Sequence, residues 1–224
     1  MTPIALLNAE AGSTPSGTGS FTYFTNFRAL VENLAFTKLV GVWAHDQLSG
    51  NWSFFPCTFS RSVPNNNEIW ESHVPDIQID QFDLVYQVSG NTFWDSNAGF
   101  NYHLDTNAAH TDGIGSAVVT PNVLTVASRI DPSGNLSVQV LVKNLAFAKQ
   151  VTIVYSIDNW ATFHNVFGNF QQLFPPPTMP HQIQCELWSV SASLPSGVSG
   201  QFAVFYIAAG TTYWDNNFGL NYAF

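Results

Sequence analysis

The sequence predicts an all-β protein made of two tandem antiparallel β-sandwiches. Three observations carry that prediction. Charged residues make up only 9% of the 224 residues, while aromatics reach 15%. Long surface helices need Glu, Lys and Arg on their wet face, whereas strands and ordered loops do not. The chain also repeats itself. Residues 31–40 (VENLAFTKLV) match 142–151 (VKNLAFAKQV) at seven of ten positions, and 81–103 match 201–223 at eleven of 23. The offsets, 111 and 120, are the length of a whole small β domain rather than of a solenoid unit. Finally, turn signals recur about every 8–12 residues, the spacing of a sandwich of two antiparallel sheets.

The elements read in order. Residues 3–7 (PIALL) hold the place in the first copy that 121–125 (PNVLT) hold in the second, so each copy opens on a strand. Residues 136–142 (LSVQVLV), 150–155 (QVTIVY) and 201–207 (QFAVFYI) are β-branched or aromatic and partly alternating. Residues 131–135 (DPSGN) are a turn signal. Residues 88–93 and 208–213 read as hairpins with Gly90 and Gly210 at the bend. Residues 171–180 (QQLFPPPTMP) read as a rigid surface connection, with a polyproline ligand site as the alternative. No segment reads as a helix of three turns. The polar, Gly-bearing stretch 106–116 separates the copies, which span 1–108 and 118–224.

The net charge of −9, with six Lys and Arg, excludes a phosphate-tracking surface and hence a nucleic-acid partner, and argues against anionic membranes. No apolar run is long enough to span a bilayer. The N-terminus lacks a basic region and its apolar run is short, so no signal peptide is expected and the chain reads as cytoplasmic or non-classically secreted. Cys57 and Cys185 fall at non-equivalent positions and read as two unpaired thiols. The histidines (His45, His73, His103, His110, His164, His181) show no metal-ligand spacing, and no metal or cofactor is expected.

Three ordered signatures recur in both copies. In the second they are residues 144–149 (NLAFAK), 158–160 (DNW) and 213–222 (YWDNNFGLNY). In the first they are 33–38 (NLAFTK), Trp52 and 93–102 (FWDSNAGFNY). This order resembles carbohydrate-binding module family 21, over nearly the whole chain and twice. The resemblance implies immunoglobulin-like β-sandwiches that bind α-1,4-linked glucan of starch or glycogen type without cleaving it. It implies a main site at Trp160, Trp214, Asp215, Asn216 and Asn217, and a second site at Phe36 and Phe147.

The residue chemistry agrees with that implication. A pyranose offers an apolar C–H face to a flat aromatic, and its hydroxyl rim suits Asn and Asp. Trp160 with Trp214, and Trp52 with Trp94, are the expected platforms. Asp215, Asn217 and Asn221, and their counterparts Asp95, Asn97 and Asn101, are the expected hydroxyl partners. The bland alternatives are a core Trp, a self-bonded Asn-rich turn, a core Phe at 36 and 147, and an Asn221–Tyr222 pair that only braces the last strand. Trp52 aligns with Trp160 at an offset of 108, the loop before it carries three extra residues, and Gly50 and Ser96 replace Asp and Asn of the second copy. The first site is therefore expected to be weaker or differently selective.

Catalysis has little support. Glycoside hydrolysis needs two carboxylates flanking the bond, and each copy repeats one Asp and no Glu. The expected function is that of a non-catalytic tandem lectin with a polysaccharide or glycan ligand. Its alternatives are a phosphatase-targeting scaffold, a lectin for a different glycan such as a β-glucan or terminal sugar, and a glucan-active enzyme. No [Lys/Arg]-Val-x-Phe docking motif is present, and no protein partner is assigned.

Overall fold

The computed structural model describes residues 2–17, 20–107 and 113–224. Among these the fold is all strand apart from 3-10 turns at Asn97–Gly99 and Asn217–Gly219. The chain divides into two compact units, Met1–Thr120 with Phe174–Gln184, and Pro121–Leu173 with Cys185–Phe224.

The first unit contains β1 (Ile4–Ser16), β2 (Ser20–Glu32), β3 (Lys38–Asp46), β4 (Trp52–Pro56), β5 (Thr58–Val63), β6 (Asn67–Pro75), β7 (Ile79–Val88), β8 (Asn91–Asp95), β9 (Tyr102–His103) and β10 (Gly113–Val119). One sheet has the order β10-β1-β2-β6-β5, and the other β4-β3-β7-β8 with β9 also on β7. Every second residue of these strands points inward. Ile4, Leu6 and Phe27 from one sheet and Val42, Phe82 and Tyr86 from the other close a single core, each at most 2% exposed. A fully buried side chain of this size contributes about 1.5–3 kcal/mol.

The second unit contains β11 (Val123–Ile130), β12 (Asn135–Lys143), β13 (Lys149–Ser156), β14 (His164–Phe167), β15 (Asn169–Leu173), β16 (Cys185–Ser193), β17 (Gln201–Ala208), β18 (Thr211–Asp215) and β19 (Tyr222–Ala223). Its sheets run β11-β12-β16-β15 and β14-β13-β17-β18, with β19 on β17. Its core joins Leu136, Val138 and Val140 to Ile153, Phe202 and Tyr206. The hairpins at 88–93 and 208–213 bend at Ser89–Gly90 and Ala209–Gly210, all four in the left-handed region that a two-residue hairpin turn requires.

Two features differ from the sequence reading. Gly113–Val119, read partly as the separating stretch (to Ser116) and partly as the start of the second copy (from Val118), is a strand of the first unit, with Val119 paired to Asn8 of β1. Its two glycines suggest a loop, yet it pairs along β1, whose Gly12 leaves room for it. A Cβ on Gly12 would fall 2.1 Å from the Gly113 carbonyl oxygen. The Pro-rich connection also belongs to the first unit. Asn97 Nδ2 donates to the Pro180 carbonyl at 2.9 Å, and His103 and Gln182 exchange two bonds of 2.8 and 2.9 Å. Residues 108–112, including His110, lie outside the described residues.

Candidate functional site

The repeated motifs first have a structural job. In the second unit Lys149 reaches Glu186 at 2.5 Å and also bonds Asn144, while the Trp188 indole donates to Glu186 at 2.9 Å. The first unit repeats the cluster with Lys38, Glu68, Asn33 and Trp70. The Asn-Leu-Ala-Phe-x-Lys element is thus a loop pinned from beneath by a buried ion pair. It holds Phe36 and Phe147 fully in solvent, at 100% and 103% of their reference exposure. Neither phenylalanine is core, so that alternative falls.

The C-terminal motif divides in the same way. Asp215 accepts from Tyr222 Oη at 2.9–3.0 Å, from the Thr125 N–H at 2.5 Å and from the Asn217 N–H at 3.2 Å. Asp95 accepts from Tyr102 Oη and the Leu6 N–H in the same manner. Both carboxylates tie the end of the strand to the opposite sheet, so the hydroxyl-partner role read for them gives way to a bracing one. Asn97 and Asn217, at φ of 51 and 52°, donate to the carbonyls of Asn101 and Asn221 and close the 3-10 turn. They too are turn-builders. Tyr102 and Tyr222 stack on Phe82 and Phe202 and brace β9 and β19.

The remaining side chains assemble a groove on the outer face of the second unit. Trp160, Phe163, Phe205, Trp214, Asn165, Asn216 and Asn221 line an open concavity of about 490 Å³, with Val154 and Ala203 as its floor. Trp214 is 57% exposed and Phe163 63%. Trp214 leans on Phe205 at 5.1 Å between centroids. Trp160 projects from the loop between β13 and β14, and Asp158 builds that loop. Its carboxylate takes bonds from Ser156 Oγ, the Thr162 N–H and Thr162 Oγ1 at 2.7–2.9 Å. These donors hold the Asp158 carboxyl down at about 2. The loop runs through left-handed Asn159 and Trp160, and the Trp160 indole donates to Gln201 at 2.8 Å. Asp158 therefore holds the loop that presents Trp160. Phe163, Asn165 and Phe205 carry no repeat signal, and sequence reasoning missed them.

Register corrects the pairing of Trp52 with Trp160. Ala44 pairs with Phe82 and Tyr155 with Phe202, two repeated phenylalanines, so Ala44 and Tyr155 correspond. Across the other edge Ala44 faces Ser53 and Tyr155 faces His164. One residue back, Trp52 matches Phe163, and Ser49 stands where Trp160 does. The two loops are equal in length, so there is no insertion before Trp52. The sequence alignment was drawn to the shared indole, whereas the backbone pairing decides the equivalence.

The same face of the first unit therefore has other chemistry. Trp43, Asp83 and Phe54 stand at the places of Val154, Ala203 and Asn165, and Trp94 at that of Trp214. The Asn101 amide faces Asp83, and assigning its nitrogen to that side, the orientation that satisfies both groups, lets it donate to both carboxylate oxygens at 3.1 and 3.2 Å. Burial, and then the neighbouring Asp95 charge, push the Asp83 carboxyl up to about 6. Burial likewise raises Glu10. An acid with a raised folded pKa costs stability when ionised and stops doing so once protonated. As pH falls from 7.5 to 5 Asp83 should therefore add stability, against His103, which burial lowers and which loses stability over the same range. The melting temperature of the wild type should thus gain on that of Asp83→Asn as pH falls. A difference between the two proteins that does not change over this range would refute the assignment.

Cys57 and Cys185 are buried and in no disulfide, and burial pushes the Cys57 thiol up to about 12. No group of three His, Cys, Asp or Glu side chains among the described residues is arranged to hold a metal.

An aromatic groove rimmed by asparagine is what a sugar ring needs. Residues 120–224 match the carbohydrate/starch-binding module (family 21). The matched segment includes the whole groove. Among curated relatives, protein phosphatase 1 regulatory subunit 3B of Xenopus tropicalis is 36% identical over 87 residues, 37% of this chain and 27% of that protein. Glycogen-binding subunit 76A of Drosophila melanogaster is 30% identical over 116 residues, 49% of this chain and 14% of that protein. Glucoamylase 1 of Rhizopus oryzae is 34% identical over 86 residues, 38% and 13%. The chain thus spans at most about a quarter of the length of these relatives. The solved starch-binding domain of Rhizopus oryzae glucoamylase, in complex with β-cyclodextrin and maltoheptaose, is 26% identical. That match covers 47% of this chain and 94% of the domain, at a TM-score of 0.37.

Proposed function

We propose that this chain binds α-1,4-linked glucan without cleaving it, through the groove of its second unit, and that its two units are tandem copies of one immunoglobulin-like binding module. The single observation that carries the reading is the set of rings, half-buried Trp160 with exposed Trp214 and Phe163, flanked by Asn165, Asn216 and Asn221. The rings cover the apolar face of successive glucoses, and the amides bond the hydroxyl rim. The absence of any carboxylate from the groove lining supports a non-catalytic role, because hydrolysis needs two. The family match over 120–224 and the glycogen- and starch-linked relatives support the choice of α-glucan.

Trp214→Ala tests the reading. Loss of one aromatic platform should weaken maltoheptaose binding by about tenfold, taking about 1–1.5 kcal/mol per aromatic contact. The melting temperature should move by less than about 3 °C, because the ring is more than half exposed. Unchanged affinity would sink the assignment, and a large melting shift would make Trp214 a packing residue. A second reading, that the chain also engages a phosphatase catalytic subunit, is favoured by the regulatory-subunit relative. A pull-down of the intact chain decides it.

A further inference from the structure

The first unit presents a face that has no equivalent in the second. Side chains directly opposite one another across antiparallel strands share a face, with Cβ atoms about 4.5–5.5 Å apart. Trp43 on β3 lies directly opposite Asp83 on β7 and Phe54 on β4. Val85, next on that face of β7, lies opposite Trp94 on β8, which puts Trp94 diagonal to Asp83 at about 7–8 Å. Gly41 makes room for this arrangement. A Cβ there would fall 2.3 Å from the Phe54 ring, so the ring lies flat over the glycine. Trp43 and Trp94 remain 38% and 45% exposed. Asp83 therefore stands between two open indoles.

Its charge is unmet. No Lys, Arg or His pairs with Asp83 among the described residues. Its bonds come from the neutral amide of Asn101, and the carboxylate of Asp95 adds repulsion. Asp95 itself is saturated by Tyr102 and Leu6. A neutral hydroxyl offers Asp83 a hydrogen bond and leaves the repulsion in place. An ammonium group relieves both, and the two indole faces attract it further. In the second unit the same position is Ala203, so this acid belongs to the first unit alone.

We infer that the outer face of the first unit is a second saccharide site that takes a sugar bearing a protonated amine, with Trp43 and Trp94 as its platforms and Asp83 as the anchor of the amino group. The inference rests on that part of the proposed function which takes open Trp-lined faces as sugar platforms. It does not require the second unit to prefer α-glucan. It also explains why the two faces differ in charge as well as in shape.

The test titrates the full-length chain at pH 7 with a β-1,4-linked glucosamine tetramer, its fully N-acetylated form and maltoheptaose. The free-amine tetramer should bind more tightly than the acetylated one. Asp83→Asn should cost it about tenfold, the size of one charge-assisted bond, and Trp43→Ala should cost a similar factor. Because a chain of net charge −9 attracts any polycation, the charge-matched control is Glu32→Gln, at an exposed acid of the same unit. That variant should bind as the wild type does. Trp160→Ala should weaken maltoheptaose alone. Equal loss from Asp83→Asn and Glu32→Gln would overturn the inference, and so would equal binding of the two tetramers. If maltoheptaose fails to bind while the Asp83-dependent response persists, the α-glucan reading falls and this site stands. Melting curves of Asp83→Asn, an isosteric change, exclude unfolding as the cause of any loss.

Discussion

Replacing Glu186 by Gln should lower stability by about 3 kcal/mol and the melting temperature by roughly 10 °C. Glu186 and Lys149 have side chains 8% and 5% exposed, and they touch at 2.5 Å. Removing one charge leaves the other stranded out of water, which costs far more than the pair itself contributes. The amide of Gln cannot neutralise the Lys149 ammonium, and it gives only one oxygen to share between Lys149 and Trp188. Replacing both partners by apolar residues of similar size, Lys149→Met with Glu186→Leu, should recover much of the loss. Equal destabilisation by the single and double changes would show that the packing of the Asn144 loop matters rather than its charge. Differential scanning calorimetry on the three variants measures the difference.

The second large effect separates two adjacent residues. Asp215→Ala should destabilise by about 3 kcal/mol, as it strands the Thr125 N–H and the Tyr222 hydroxyl, charge-assisted donors worth roughly 1.5–3 kcal/mol each. Trp214→Ala, one residue away, should leave melting almost unchanged and weaken sugar binding. The alternation of a strand sends Trp214 outward and Asp215 inward. If Asp215→Ala stays as stable as the wild type but loses binding, the carboxylate faces the ligand and its bracing role is wrong.

Much of this architecture is written in the sequence. The strand over 136–142 and the hairpins at Gly90 and Gly210 follow from alternation and turn chemistry. The failures share one cause, which is that sequence similarity does not report backbone register. The shared indole suggests that Trp52 corresponds to Trp160, yet strand pairing makes Trp52 the equivalent of Phe163. Gly113 looks like a loop residue, yet it starts a strand that Gly12 of β1 leaves room for. The repeated Asp95 and Asp215 recur because both units need the same brace. Repetition alone cannot separate a residue kept for the fold from one kept for a ligand. Asp83 was invisible because it does not repeat. A site peculiar to one unit leaves no trace in the comparison of the two.

The measurement closest to the central claim is a calorimetric titration of the full chain with maltoheptaose, comparing wild type, Trp160→Ala and Trp94→Ala. The groove of the second unit holds Trp160, and the first unit has Ser49 at that place. Trp160→Ala should therefore weaken binding by about tenfold, with melting within a few degrees of wild type, while Trp94→Ala leaves maltoheptaose affinity unchanged. Equal or greater loss from Trp94→Ala, or full affinity in Trp160→Ala, would contradict the assignment of the α-glucan site to the second unit.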